Sequence, residues 1–286
     1  MPELPEVETI RRDLLSHVVG RTITGVHVAA DASRVIRGVP VRVFARRIAG
    51  RRIEALARRG KYLLFRFDGA RAPVYLAVHL RMTGSLLYRR VVDPPDSYVR
   101  AVITLDDGSE LRYADLRKLG QMWLVGSPEE AVGALGPEPL DAAFTAAKLR
   151  ETLSRRRAPI KAVLLDQRAV AGLGNIYADE ALFVARIHPL RLANTLSEPE
   201  AKRLHRAIRR VLNDALGNRG SSFRDYVDAA GREGTHQLRV KVFRRTGQPC
   251  YVCRTEVARI KVGGRSTHLC PRCQPEESDR DVAAAK

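Results

Sequence analysis

Apolar and polar positions alternate with a period of two over much of the first 125 residues and recur with a helical period over much of the remaining chain. In residues 22–29, Ile23, Val26 and Val28 punctuate polar neighbours. Residues 52–57 and 61–67 read as an extended region broken at Gly60, and 74–80, 85–88 and 98–105 are further strands. Asp106-Asp107-Gly108 has the composition of a hairpin turn between 98–105 and 109–113, and 122–125 is another strand. Many short strands with frequent turns predict a β-sandwich. One helix precedes them, over about residues 5–17, with Pro5 and acidic residues in its first turn.

Residues 126–141 contain Gly133, Gly136, Pro137 and Pro139 and read as a linker. Beyond them the spacing predicts helices over 143–155, 159–167, 175–187 and 199–216, the third opened by Ala171-Gly172-Leu173-Gly174. The fourth is the clearest. Leu204, Ile208, Val211, Leu212 and Ala215 form one apolar face, while Lys202, Arg203, Arg206, Arg209 and Arg210 mostly take the others. Gly217 closes it. Residues 217–235 read as a long glycine-rich loop, a type that is usually functional or disordered. The chain from Gln274 onward reads as a disordered tail.

Composition narrows the partners. The chain has 286 residues, 45% of them hydrophobic, which is enough for a packed core. Its net charge of +18 implies a polyanion, with nucleic acid the first choice and an anionic membrane the second. No apolar stretch is long enough to span a bilayer, and the N-terminus is acidic and lacks a signal-peptide core. A cytoplasmic protein, associated with the nucleoid through DNA, is expected.

The four cysteines are Cys250-x-x-Cys253 and Cys270-x-x-Cys273, separated by sixteen residues. A reducing cytosol argues against disulfides. The spacing matches a four-thiolate zinc site, and four thiolates leave no open position, so one structural Zn²⁺ is expected. Arg244, Arg245, Arg254, Arg259, Lys261, Arg265 and Arg272 surround it, an arrangement that suits phosphates as well as a solvated charged surface.

The N-terminus carries a second kind of chemistry. Cytosolic aminopeptidases generally remove Met1 before a small residue such as Pro2, leaving a free secondary amine. An α-amino group titrates near 7.7–8.0 and a lysine near 10.4, so a lysine would need about 3.5 kcal/mol of perturbation to match it. Attack of a secondary amine on a sugar C1′ gives an iminium that is already cationic, the electron sink needed to eliminate the 3′ phosphate. Glu3 and Glu6 sit beside Pro2, and either could transfer protons. Acids in a first helical turn also favour the helix dipole without any catalytic role.

Met1-Pro2-Glu3-Leu4-Pro5-Glu6-Val7-Glu8-Thr9 resembles the opening of formamidopyrimidine-DNA glycosylases. The resemblance continues through Arg58-Arg59-Gly60-Lys61-Tyr62-Leu63, His79-Leu80-Arg81-Met82-Thr83-Gly84 and Gly136-Pro137-Glu138-Pro139-Leu140. It runs on through Gly172-Leu173-Gly174-Asn175-Ile176-Tyr177-Ala178-Asp179-Glu180, Gly264-Arg265-Ser266-Thr267-His268 and the zinc cysteines. It spans about residues 1–273 in colinear order.

The resemblance implies a bifunctional enzyme that excises oxidised purines from duplex DNA and then nicks the strand by β/δ elimination. It implies that Pro2 is the Schiff-base nucleophile, Glu3 the general acid/base, and Lys61 a grip on a phosphate at the lesion. Asn175, opening a helix after Gly-x-Gly, would bind phosphate, and Arg265 on the zinc hairpin would clamp the flipped nucleotide. Met82, Arg117 and Leu119 would fill the hole left by the flipped base, and the segment after Gly220-Ser221-Ser222 would cap the extruded base.

The implied fold is α+β and multidomain. It comprises a catalytic β-sandwich with its leading helix (1–125), a linker (126–141), a helix–two-turns–helix DNA-binding region with the capping loop (142–243), a zinc β-hairpin (244–273) and a tail (274–286). Damaged double-stranded DNA is the expected partner, and a monomer without obligate protein partner the expected state.

Several positions depart from the family pattern. Leu119 stands where phenylalanine is usual, Leu116 where proline is frequent and Lys118 where arginine is frequent, and Phe243-Arg244 replaces a usual tyrosine and glycine. An endonuclease VIII-type enzyme for oxidised pyrimidines shares fold and mechanism, but Leu4 disfavours it because that branch tends to carry glycine there. A zinc-ribbon nucleic-acid-binding protein without catalysis would explain the charge and the cysteines, but not Pro2-Glu3 with Lys61.

Overall fold

The computed structural model describes residues 1–69 and 74–276. Residues 277–286 of the expected tail lie outside the described residues. The chain forms two compact units. The first comprises Met1–Ala134 together with Leu216–Gln237, and the second Leu135–Ala215 together with residues from Leu238 onward.

The first unit opens with α1 (Leu4–Val18). Val7, Ile10, Leu14 and Val18 recur at helical spacing and are buried. Its strands among the described residues are β1 (Ile23–Val28), β2 (Ile36–Arg37), β3 (Ile53–Arg59), β4 (Tyr62–Phe67), β5 (Val74–His79), β6 (Gly84–Arg90), β7 (Val99–Leu105), β8 (Ser109–Asp115) and β9 (Gln121–Val125). They form a four-stranded sheet, order β1-β7-β8-β6, and a five-stranded sheet, order β2-β9-β5-β4-β3. Residues of both sheets and of α1 share one core, including Ile23, Ile103 and Leu111 from one sheet and Phe65, Val78 and Met122 from the other. This is the expected sandwich. The β7–β8 turn falls at Asp106-Asp107-Gly108, where Asp107 Oδ1 accepts from the Ser109 N–H at 3.0 Å.

Several elements went unseen in the sequence pattern. Helix α2 (Val41–Ile48) buries only Phe44 and Ile48, four residues apart, too brief an apolar pattern to stand out. Strand β2 is two residues long and pairs in parallel with Met122 and Trp123. Helix α3 (Pro128–Val132) lies within the expected linker, with Ser127 as its cap and Pro128 in its first turn.

The second unit carries α4 (Ala146–Ser154), α5 (Ile160–Leu165), α6 (Asn175–Ala185) and most of α7 (Glu198–Gly217), then the hairpin β10 (Ala258–Val262) and β11 (Arg265–Leu269). The predicted apolar face of α7 is buried. Gln274, which the sequence places at the head of the tail, is fully buried. Its side chain accepts from Cys270 N–H at 3.0 Å and donates to the Ile187 carbonyl at 2.9 Å.

Residues 217–235, expected to be flexible or functional, form a packed loop of the first unit. Tyr226 and Ala229 enter its core. The buried Asp228 accepts from the Ala230 and Arg232 backbone N–H groups, each at 2.9 Å, and pairs with Arg219.

Candidate active site and nucleic-acid interface

In the first unit the chain becomes buried directly after Met1, which is itself 45% exposed. Pro2 is buried, and Glu3 and Glu6 are 2% and 1% exposed. Glu3 is the N-cap of α1 and forms a capping box with Glu6, whose Oε2 accepts from the Glu3 N–H at 2.8 Å. Glu6 Oε1 accepts from the Ser221 N–H, also at 2.8 Å. Both Glu6 oxygens therefore hold backbone donors, and in the capping box the Glu3 side chain accepts from the Glu6 N–H in return. Gly220 makes the approach possible, because a Cβ there would lie 2.8 Å from Glu6 Oε1 and its φ is +80°.

The Met1 ammonium, which precedes Pro2, is held below its usual pKa by burial. Glu3, Glu6 and Asp225 oppose that fall, and Lys61 adds to it. These four side chains thus share the electrostatic surroundings of the N-terminus. Asp225, in a loop without periodicity, gave no signal in the sequence.

Lys61 lies in the β3–β4 turn and is buried. Burial, then Arg81 and Lys61, push His79 down to about 3. Its neutral ring accepts from the Arg81 N–H at 3.0 Å and thereby shapes the turn that carries Met82. Glu8 sits behind the site. Burial alone would raise its pKa, but Arg11, Arg12 and Arg58 outweigh burial and bring it to about 2. Its 3.0 Å pair with Arg58 ties α1 to β3.

Met82 and Leu119 are 39% and 43% exposed. They are surface residues on two loops, not core residues, and Arg117 is exposed beside Leu119. Leu116 adds a further exposed apolar side chain.

In the second unit Gly174 is the N-cap of α6, which places Asn175 at its first helical position. Asn175 donates through Nδ2 to the Ser266 carbonyl at 2.9 Å. That bond brings it beside the hairpin tip carrying the exposed Arg265. Lys161 and Asp179, both fully buried, pair at 2.6 Å. Lys161 also donates to Thr267 Oγ1 at 2.8 Å, and Asp179 Oδ2 accepts from the His268 N–H at 2.9 Å. This buried network seats β11 against α5 and α6, and removing one partner would strand a buried charge. Glu180 accepts from the Lys241, Val242 and Phe243 backbone N–H groups at 2.7, 2.9 and 2.9 Å. Neither tie was legible as a role in the sequence.

The four cysteine sulfurs lie within 4.8 Å of one another. Cys250–Cys273, Cys253–Cys270 and Cys253–Cys273 are 3.9, 3.4 and 3.5 Å apart. Tetrahedral Zn–S bonds of about 2.3 Å require S–S separations of about 3.8 Å, so the set fits one zinc ion. The small apolar cluster at the cysteines comprises Val242, Val257, the cysteines and Phe183 of α6, so metal binding supplies much of the folding energy of this module, roughly 10–16 kcal/mol in small zinc modules. Cys270→Ser should therefore lose zinc and weaken DNA binding at least about tenfold while the sandwich stays folded. Metal analysis, DNA titration and near-UV circular dichroism check this, and unchanged zinc content with unchanged affinity would refute it.

The sequence matches the formamidopyrimidine-DNA glycosylase N-terminal domain over residues 1–122 and the H2TH domain of that enzyme over 135–226. It matches the zinc finger found in FPG and IleRS over 247–275. It is 46% identical to formamidopyrimidine-DNA glycosylase of Pelotomaculum thermopropionicum, covering 96% of this chain and 99% of that one. It is 43% identical to the Bacillus subtilis protein of that name, covering 97% of this chain and 100% of that one. The MutM (FPG) protein of Thermus thermophilus superposes with a TM-score of 0.84 at 42% identity, over 96% of this chain and 99% of that one. A Lactococcus lactis FPG variant, solved with DNA containing Fapy-dG, superposes with a TM-score of 0.87 at 35% identity over 96% of this chain and all of that one. This chain belongs to the formamidopyrimidine-DNA glycosylase family.

Proposed function

We propose that this protein excises oxidised purines from duplex DNA and cleaves the strand at the resulting abasic site, as a step of base excision repair. The observation that carries the reading is the buried pair Pro2 and Glu3, next to a Met1 ammonium that feels the charges of Glu3, Glu6 and Lys61. The family membership is independent support, and relatives have been solved with DNA containing Fapy-dG and carbocyclic 8-oxo-G.

The target base is flipped out, because its glycosidic bond is unreachable in the stack. The Pro2 amine attacks C1′, the C1′–N bond breaks, and Glu3 assists the proton transfers that accompany base departure and sugar opening. Burial depresses the neighbouring Met1 ammonium, and the same burial around a freed Pro2 amine would favour its unprotonated, nucleophilic form. The resulting iminium draws electrons from the C2′–H bond, the C3′–O bond breaks, and a second elimination at C5′ leaves a one-nucleoside gap. Lys61, Asn175 and Arg265 hold phosphates through these steps. Zinc, when bound, fixes the hairpin fold that presents Arg265. No helix among the described residues is long and apolar enough to cross a membrane. A cytoplasmic monomer working on the nucleoid fits this role.

Met82, Arg117 and Leu119 take the place of the flipped nucleotide. Leucine lacks the flat ring of phenylalanine and recovers only part of a stacking contact worth about 1–3 kcal/mol. Met82→Ala should slow excision from intact duplex by roughly 10-fold and spare cleavage at preformed abasic sites, with melting temperature unchanged. Parallel loss of both activities and of stability would contradict the wedge role. Substrate choice is tested by excision kinetics on 8-oxoguanine and thymine glycol duplexes. Faster excision of 8-oxoguanine supports the proposal, and the reverse order would point to the oxidised-pyrimidine branch.

A further inference from the structure

Asp115 ends β8 and is completely buried. Its carboxylate receives four donors from three different segments. Oδ1 accepts from the Thr83 hydroxyl and from the Arg117 N–H at 3.1 Å. Oδ2 accepts from the Tyr113 hydroxyl at 3.1 Å and the Gly120 N–H at 2.8 Å. An ionised carboxylate offers about four lone-pair directions and no donor, so this set fills it. The Arg117 N–H also reaches Thr83 Oγ1 at 3.2 Å, closing a ring between the two loops. Packing leaves the loop base no slack, because a Cβ on Gly120 would lie 1.8 Å from the Tyr113 hydroxyl oxygen.

The segments joined in this way are those that carry Met82 on one side and Arg117 and Leu119 on the other. Their tips are exposed, and Arg81 and Lys118, one in each loop, both adopt positive φ. Such a backbone needs a fixed base to persist. We infer that Asp115 is a positioning residue that locks the two void-filling loops into one rigid probe, an inference that rests on the wedge role proposed for those loops. It touches no nucleotide and acts through Met82, Arg117 and Leu119.

Asparagine at 115 has one acceptor oxygen and two N–H donors, so whichever way it turns, the backbone N–H of Arg117 or of Gly120 faces another donor and the hydroxyl beside it must reverse to accept. Asp115→Asn should reduce single-turnover excision of 8-oxoguanine from intact duplex at least about tenfold, while cleavage of a preformed abasic site stays within about threefold. Thr83→Val removes one donor and leaves the other three, and should show a smaller loss with the same selectivity. It carries the test if the asparagine variant does not fold. In a Met82→Ala/Arg117→Ala/Leu119→Ala background, Asp115→Asn should add less than about a twofold further loss, because the groups it acts through are gone. Equal loss of both activities, or losses that multiply in that background, would overturn the inference. If the triple variant itself keeps the parent ratio of excision to abasic cleavage, the wedge role falls and this inference falls with it.

Discussion

Glu3→Gln is expected to slow base excision by about 10²- to 10⁴-fold, the range that a positioned proton carrier contributes, while cleavage of a preformed abasic site falls only a few-fold. Base departure and sugar opening both need proton transfer, whereas imine formation at an open aldehyde depends mainly on the amine. Glutamine keeps the size of Glu3, so α1 retains its start. The neighbouring acid is held differently: both Glu6 oxygens are engaged by backbone N–H groups of Glu3 and Ser221. Glu6→Gln would put an amide N–H against one of those donors, so it should disturb the fold of the site and lower both activities together. Single-turnover rates on 8-oxoguanine and abasic duplexes separate the two acids. Equal losses in the two assays for Glu3→Gln would remove its proton-transfer role.

The second large effect is expected from the N-terminus itself. A form that keeps Met1 has Pro2 locked in an amide, whose nitrogen lone pair is delocalised into the carbonyl and cannot attack C1′. Both excision and strand cleavage should drop to background, while DNA affinity persists because the basic surfaces are untouched. Processed and unprocessed forms, purified separately and assayed side by side, give the comparison. Comparable turnover by the two would mean that another amine does the chemistry, and the buried Lys61 would be the first to examine.

Much of the fold is legible in the residues because its signals are local. The β7–β8 turn announces itself in Asp106-Asp107-Gly108, the zinc site in two Cys-x-x-Cys pairs, and α7 in its spaced apolar face. The hidden parts depend on partners distant in sequence. Strand β2 exists only because Ile36 and Arg37 find Met122 and Trp123. The loop after Gly217 reads as unstructured until Asp228 collects its N–H donors and Tyr226 enters the core of the first unit.

The site divides the same way. Pro2, Glu3, Lys61, Asn175 and Arg265 stand out by motif resemblance. The sequence could not say that both Glu6 oxygens are taken by backbone bonds, since Ser221 lies more than 200 residues from Glu6. Asp115 looks like the polar end of a strand, and Lys161 and Asp179 like ordinary helix residues. Their roles come from convergence in space, which periodicity does not encode.

The proposed chemistry turns on a covalent bond between the amine of Pro2 and the sugar. Borohydride added during reaction of the processed protein with 8-oxoguanine duplex should reduce the iminium to a stable protein–DNA adduct. Proteolysis and mass spectrometry should then place the DNA on the N-terminal peptide, at Pro2. An adduct at Lys61 or elsewhere, or equal trapping by protein that retains Met1, would contradict the assignment of Pro2 as the nucleophile.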